Sequence, residues 1–146
     1  MILIDANILL YAVNKDAPQH AQAKSQAKSW LEKALSGTET IAVSWTVLLA
    51  FLRLATRPGL FREQLRIGTA FDLIDTWLNQ TSVSIIHPGP RHGAIGRELL
   101  EPLGTGGNLT SDAHLAALAL EHRAELYSSD HDFQRFPGLK WRNPLA

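Results

Sequence analysis

The chain has 146 residues, 14 acidic and 14 basic side chains, and no cysteine. That length suits one domain over residues 1–146, large enough to bury a real core. The missing cysteines exclude disulfides, thiolate zinc sites and cysteine nucleophiles, and a formal net charge of zero excludes a general positive field for nucleic acid. Any nucleic-acid partner must then be held by local basic residues and metal. The longest apolar run, Val47 to Leu52, falls far short of the roughly 20 residues that span a membrane, and the first residues lack a basic leader region. A cytoplasmic protein is the expectation.

In chain order, Ile2-Leu3-Ile4 is a short aliphatic run of the kind buried on both faces of a central parallel strand. Asp5 follows at the strand's carboxyl end, where open α/β sheets bind ligands; it could equally cap the helix expected over Ala6 to Asn14. Asp16-Ala17-Pro18 marks a turn, with Pro18 starting a second helix that runs from Gln19 to Ser36. There Ala23, Ala27, Trp30, Leu31, Ala34 and Leu35 form the apolar stripe, Lys24, Lys28 and Lys33 the solvated side, and Gly37 the stop. The doubled Ala-Lys-Ser at 23–25 and 27–29 is too short to signal a repeat.

Ile41 to Ser44 is a second strand candidate. Trp45 to Thr56 is a helix apolar almost all round except at Arg53, so it must be wholly internal or lie at a subunit interface, and the interface suits a chain this small. An amphipathic helix is expected over Arg62 to Asn79, with Ile67, Ala70, Phe71, Ile74, Trp77 and Leu78 on its stripe. Val83 to Ile86 reads as a third strand and Arg91 to Leu103 as a helix. Thr110 can cap the next helix, which carries Asp112 in its first turn and small residues Ala113, Ala116, Ala117 and Ala119 for close packing on a sheet. Leu126 to Ser128 forms a fourth strand ending at Ser129-Asp130, and Leu139 to Trp141 a weak fifth at an edge. This alternation predicts an α/β fold, a mostly parallel sheet with helices on both faces.

Asp5, Asp112 and Asp130 thus take comparable places near strand ends and can face one crevice. Carboxylates gathered within a few ångströms repel unless they share protons or a cation compensates them. Acids without cysteine or paired histidine suit Mg²⁺, or Mn²⁺, better than zinc. Each acid also has a plainer role: a helix cap at Asp5, a first-turn acid favoured by the helix dipole at Asp112, an Asx turn at Asp130 and Asp132. Arg53, Arg57, Arg62 and Arg66 make a basic stretch that could meet RNA phosphates or a partner, or simply face solvent. His114 and His131 flank acids, but a lone histidine is more often neither ligand nor base, and both stay outside the catalytic set. The four tryptophans suit a core or an interface better than base stacking.

Three ordered motifs carry a resemblance: Ile4-Asp5-Ala6-Asn7, then Leu109-Thr110-Ser111-Asp112-Ala113-His114 and its alanine-rich continuation, then Tyr127-Ser128-Ser129-Asp130-His131-Asp132-Phe133. Together with Phe136-Pro137-Gly138-Leu139 and Asn143-Pro144-Leu145 they make the whole chain similar to PIN-domain proteins, and more narrowly to VapC-type toxins of bacterial type II toxin-antitoxin pairs. The resemblance implies a three-layer α/β/α PIN-like domain and a Mg²⁺-dependent endoribonuclease, usually a homodimer. It also implies silencing by a small VapB-type antitoxin inserted into the acidic groove, and structured RNA such as tRNA as the target. Carried over, Asp5, Asp112 and Asp130 would be the catalytic, metal-binding carboxylates. Asn7 would orient the Asp5 region, Ser128 would stand where the family often has Thr or Ser, and Asp132 would be an outer member.

One place departs from the pattern. The family commonly has a glutamate three residues before an arginine, and here that stretch reads Ala50-Phe51-Leu52-Arg53. Thr46, one turn earlier, offers a hydroxyl but no charge, so a weaker site is expected. A PIN-like module that binds RNA or an antitoxin without cleaving is therefore the alternative. A phosphohydrolase using Asp5 as nucleophile ranks last, because position 7 is Asn and no clear lysine partner follows a late strand.

Overall fold

The structure, a computed structural model, describes residues 1–14 and 21–146. The turn expected at Asp16-Ala17-Pro18 and the helix start at Gln19 lie outside the described residues. Strand β1 (Ile2–Ile4) leads through Asp5 into helix α1 (Ala6–Val13), and α2 (Ala21–Leu35) precedes β2 (Ile41–Val43). Then come α3 (Trp45–Ala55), α4 (Ile67–Leu78), β3 (Val83–Ile85), α5 (His92–Leu100), a 3₁₀ turn at Glu101–Leu103 and α6 (Leu109–His122). Strand β4 (Glu125–Tyr127), a second 3₁₀ turn (His131–Arg135) and β5 (Trp141–Arg142) complete the order.

The five strands form one sheet in the order β3-β2-β1-β4-β5, and every pairing is parallel. Parallel neighbours need crossovers, and right-handed crossovers put helices on opposite faces when the direction of travel across the sheet reverses. The chain moves outward from β1 to β3, then returns past β1 to lay down β4. Accordingly α1 packs with α2 and α3, and α3 with α4, while α5 and α6 pair with each other. β1 is central, its three residues buried, in register with Ile41 and Ala42 on one side and with Glu125, Leu126 and Tyr127 on the other. Leu3, Ile8, Leu48, Phe51, Leu118 and Leu126 are fully enclosed around it. The reversal falls between β1 and β4, and a crevice opens at their carboxyl ends, where Asp5 and Asp130 emerge.

The alternating strands and helices stand as expected, with several local differences. The helix expected from Arg62 begins only at Ile67. Before it, Phe61 is buried and Leu65 N–H donates to the Ala55 carbonyl at the end of α3, so the segment is spent on anchoring that helix end and cannot coil. Ile67 and Phe71, expected on the buried stripe of α4, are exposed, and Ala70, Ile74 and Trp77 form its buried face. In α2, Lys24 is buried instead of solvated. α6 starts at Leu109 with Asn108 as its cap position, so Thr110 lies inside the first turn. β4 sits one residue earlier than expected and leaves Ser128 beyond it; β5 is Trp141–Arg142. Helix α3 is not wholly internal: Val47, Leu48, Phe51, Leu52 and Ala55 are buried, while Trp45 is 41% and Leu49 56% exposed.

Candidate metal centre and its groove

Asp5 ends β1 and caps α1, its Oδ1 accepting the Ala6 N–H at 2.7 Å. Its Oδ2 accepts the Ser128 hydroxyl at 2.7 Å and the Asn7 side-chain amide at 3.3 Å. Ser128 is itself fully buried, and its Oγ also accepts from Asn7 Nδ2 at 3.1 Å and from the Asp130 N–H at 3.0 Å. Every hydrogen-bonding capacity of that hydroxyl is thereby used. Asn7 closes the circuit by accepting the Ser129 N–H on Oδ1 at 3.2 Å. The ends of β1 and β4 are in this way tied to each other by side chains beyond the last ladder bond.

Asp130 caps the 3₁₀ turn, its Oδ1 accepting the Asp132 N–H at 2.9 Å. That Asx turn swings Asp132 back toward Asp112 in the first turn of α6. One ligand oxygen each from Asp112, Asp130 and Asp132 falls within 4.8 Å of the others. Asp132 is half exposed and also meets Arg135 at 3.5 Å. Asp5 stands outside that trio but lines the same groove as Asp112 and Asp130.

The electrostatics follow from this crowding. The Asp112 carboxyl is pushed up to about 6, first by burial and then by Asp130, Asp5 and Asp132. Burial also raises Asp5, with Asp130 adding to the rise and the Ser128 and Ala6 donors opposing it. Asp112 and Asp5 are thus uncomfortable as bare carboxylates. An all-oxygen donor set with no histidine or thiolate matches a hard divalent cation, and the three carboxylates are grouped closely enough that they could hold one.

The groove encloses about 590 Å³ and has two unlike walls. Asp5, Asn7, Asp112, Asp130, Thr110, Ser111 and His114 line one; Thr46, Val47, Leu49, Ala50, Arg53 and Leu54 of α3 line the other. Thr46 Oγ1 lies 2.8 Å from Oγ of Ser44, the buried cap of α3, and Ala50 presents only a methyl group. Arg53 reaches the groove, Arg57 lines an adjoining cavity with Leu10, Leu54 and Leu60, and Arg62 is exposed in the loop before α4. His114, left aside on sequence grounds as a lone histidine, is not alone: its Nδ1 lies 2.9 Å from Nε2 of His92. Burial and His92 together lower its pKa. No spacing in the sequence signals that pair, because its members lie on different helices.

The sequence matches the PIN domain family over residues 2–139, and it is 45% identical over 146 residues to Ribonuclease VapC37 of Mycobacterium tuberculosis, covering the whole chain and 99% of that protein. The chain belongs to the PIN-domain family, in its VapC group. A further relative, Ribonuclease VapC33 of the same species, is 41% identical over 145 residues, 99% of each chain. Among solved structures, VapBC2 from Rickettsia felis, bound to a DNA fragment from its promoter, overlays with a TM-score of 0.70 at 25% identity over 98% of both chains. The expected three-layer PIN architecture is what this PIN domain has, and its acid-walled groove lies where the fold's sheet reverses direction.

Proposed function

We propose that this PIN domain, a single unit over residues 1–146, is a Mg²⁺-dependent endoribonuclease and the toxin of a type II toxin-antitoxin pair. The observation that carries the reading is the meeting of Asp112, Asp130 and Asp132 within 4.8 Å, beside Asp5, in a groove of a protein whose relatives are named ribonucleases. Asp112, Asp130 and Asp132 are the side chains to hold the ion, and Mn²⁺ suits the same donors. When bound, the ion neutralises the carboxylates, activates water and offsets charge gathering on a phosphodiester. Asp5, held by three donors, adds a fixed negative potential and through Ser128 fixes the backbone of Asp130. Asn7 and Ser128 are positioning groups, Thr46 offers a hydroxyl from the far wall, and Arg53 offers a guanidinium to RNA phosphates, with Arg57 and Arg62 farther out. A VapB-type antitoxin, a structured RNA such as tRNA, a homodimer through the exposed start of α3 at Trp45 and a cytoplasmic location complete the proposal.

The test is direct. Purified chain, freed of antitoxin, should cut RNA with Mg²⁺ or Mn²⁺, stop on chelation, and lose about 100-fold in rate on Asp5→Asn. Cleavage that ignores chelation sinks the metal assignment.

A second reading has one specific observation behind it: Ala50 lines the groove at the position where the family resemblance implies a glutamate, so the α3 wall brings no carboxylate. On that reading the domain binds RNA or an antitoxin without cutting. A native protein that is inert and gains cleavage on Ala50→Glu decides for it.

A further inference from the structure

Two histidines from different helices meet at the acidic end of the groove. His114 lies two residues past Asp112 on α6 and lines the groove; His92 opens α5. Their rings meet edge to face with centroids 4.7 Å apart, and His92 Nε2 and His114 Nδ1 are 2.9 Å apart. One of these two nitrogens must donate and the other accept.

The remaining nitrogens decide which. His92 Nδ1 is buried without a hydrogen-bond partner among the described residues. Were His114 Nδ1 the donor, neutral His92 would carry its own proton on that buried Nδ1, leaving an orphaned N–H. The opposite arrangement leaves only an unused lone pair there, and orphaned buried donors are the rarer and costlier case. His92 therefore donates, His114 Nδ1 accepts, and the His114 proton sits on Nε2. His114 lines the groove, and with Nδ1 engaged by His92 its Nε2 is the ring's remaining polar atom.

We infer that His114 is a substrate-positioning residue whose Nε2–H, held in that tautomer by His92, donates a hydrogen bond to a phosphate oxygen of RNA passing the acid trio. The inference deepens the ribonuclease reading and rests on it. The chemistry of the wall supplies the reason: Asp5, Asp112 and Asp130 offer acceptors only, and a phosphate beside them needs donors as well as a cation. Arg53 stands on the opposite wall, and the hydroxyls of Thr110 and Ser111 can turn either way. An imidazole locked with its proton on Nε2 gives a donor of fixed direction on the acidic wall itself.

Nitrogen-15 spectra of the full chain at about pH 8, above the ordinary histidine range, report the tautomer directly. His114 should appear as the Nε2–H form, His92→Phe should convert it to a mixture, and a short single-stranded oligoribonucleotide should move the His114 Nε2–H resonance. In cleavage assays His114→Ala should raise KM about tenfold with kcat within about twofold, the pattern of a lost ground-state contact to a charged group, and His114→Gln, which keeps a donor, should recover part of it. A His114 proton on Nδ1 overturns the inference, and so does an Nε2–H resonance unmoved by RNA with KM unchanged in His114→Ala. If RNA moves the resonance but the wild-type protein never cuts, the inference stands and the ribonuclease reading falls; if it cuts with His114 indifferent to RNA, the reverse holds.

Discussion

The two walls of the groove are built on opposite principles. On the β1/β4 side, polar atoms are matched one to one: Asp5 has three donors, Ser128 uses its proton and both lone pairs, and Asn7 bridges to Ser129. On the α3 side, Val47, Leu49, Ala50 and Leu54 present hydrocarbon, and the polar exceptions are Thr46, engaged with Ser44, and Arg53. The first wall stores electrostatic strain, seen in the raised carboxyls of Asp5 and Asp112, and its geometry is fixed by directional bonds. The second is tolerant, since apolar contact has no direction to lose. On the proposed function a cation and a charged backbone would meet the first wall, and apart from Arg53 the second would select by shape.

Substitutions can break this contrast. The largest effect should come from Asp112→Asn, with cleavage falling about 100-fold because the proposed ion loses one of its three carboxylates; the same change should stabilise the metal-free protein. The sign follows from its raised carboxyl: the native state holds that proton more tightly than the unfolded chain does, so the contribution is present below about pH 4 and lost as pH rises through about 6. Thermal melts in chelator should show Asp112→Asn about 2–4 °C above wild type at pH 7 and level with it below about pH 4, allowing for the residue's partial exposure. Equal melting temperatures at pH 7 would show that the Asp112 carboxylate is not strained.

Ser128→Ala comes next. It strips Asp5 of a donor and leaves Asn7 and the Asp130 N–H short of an acceptor, at a cost of about 1–3 kcal/mol by denaturant unfolding and roughly tenfold in cleavage. Loss of stability without loss of rate would mean the network serves the fold alone. The smallest effect on folding should follow Trp45→Ser at the exposed start of α3, outside the groove lining: a stability change of about 0.5 kcal/mol, yet a shift from dimer to monomer in sedimentation. A wild-type chain that already sediments as a monomer removes the interface assignment.

What the sequence determined by itself is whatever rests on neighbouring residues. The aliphatic run Ile2-Leu3-Ile4, the helical stripes and the small residues of α6 are enough for a parallel α/β sheet, because strand and helix periods are local properties of the chain. The positions of Asp5, Asp112 and Asp130 near strand ends follow from the same periods. Only tertiary structure decided the rest. It drew Asp132 beside Asp112 and Asp130 through an Asx turn, left Asp5 clamped just outside that trio, spent Leu65 on anchoring α3 where a helix was expected, and turned His114 from a lone histidine into half of a pair. Each of these depends on which atoms far apart in the chain satisfy one another's hydrogen bonds or escape water together. No spacing rule encodes that choice, since it is made by the packed fold as a whole.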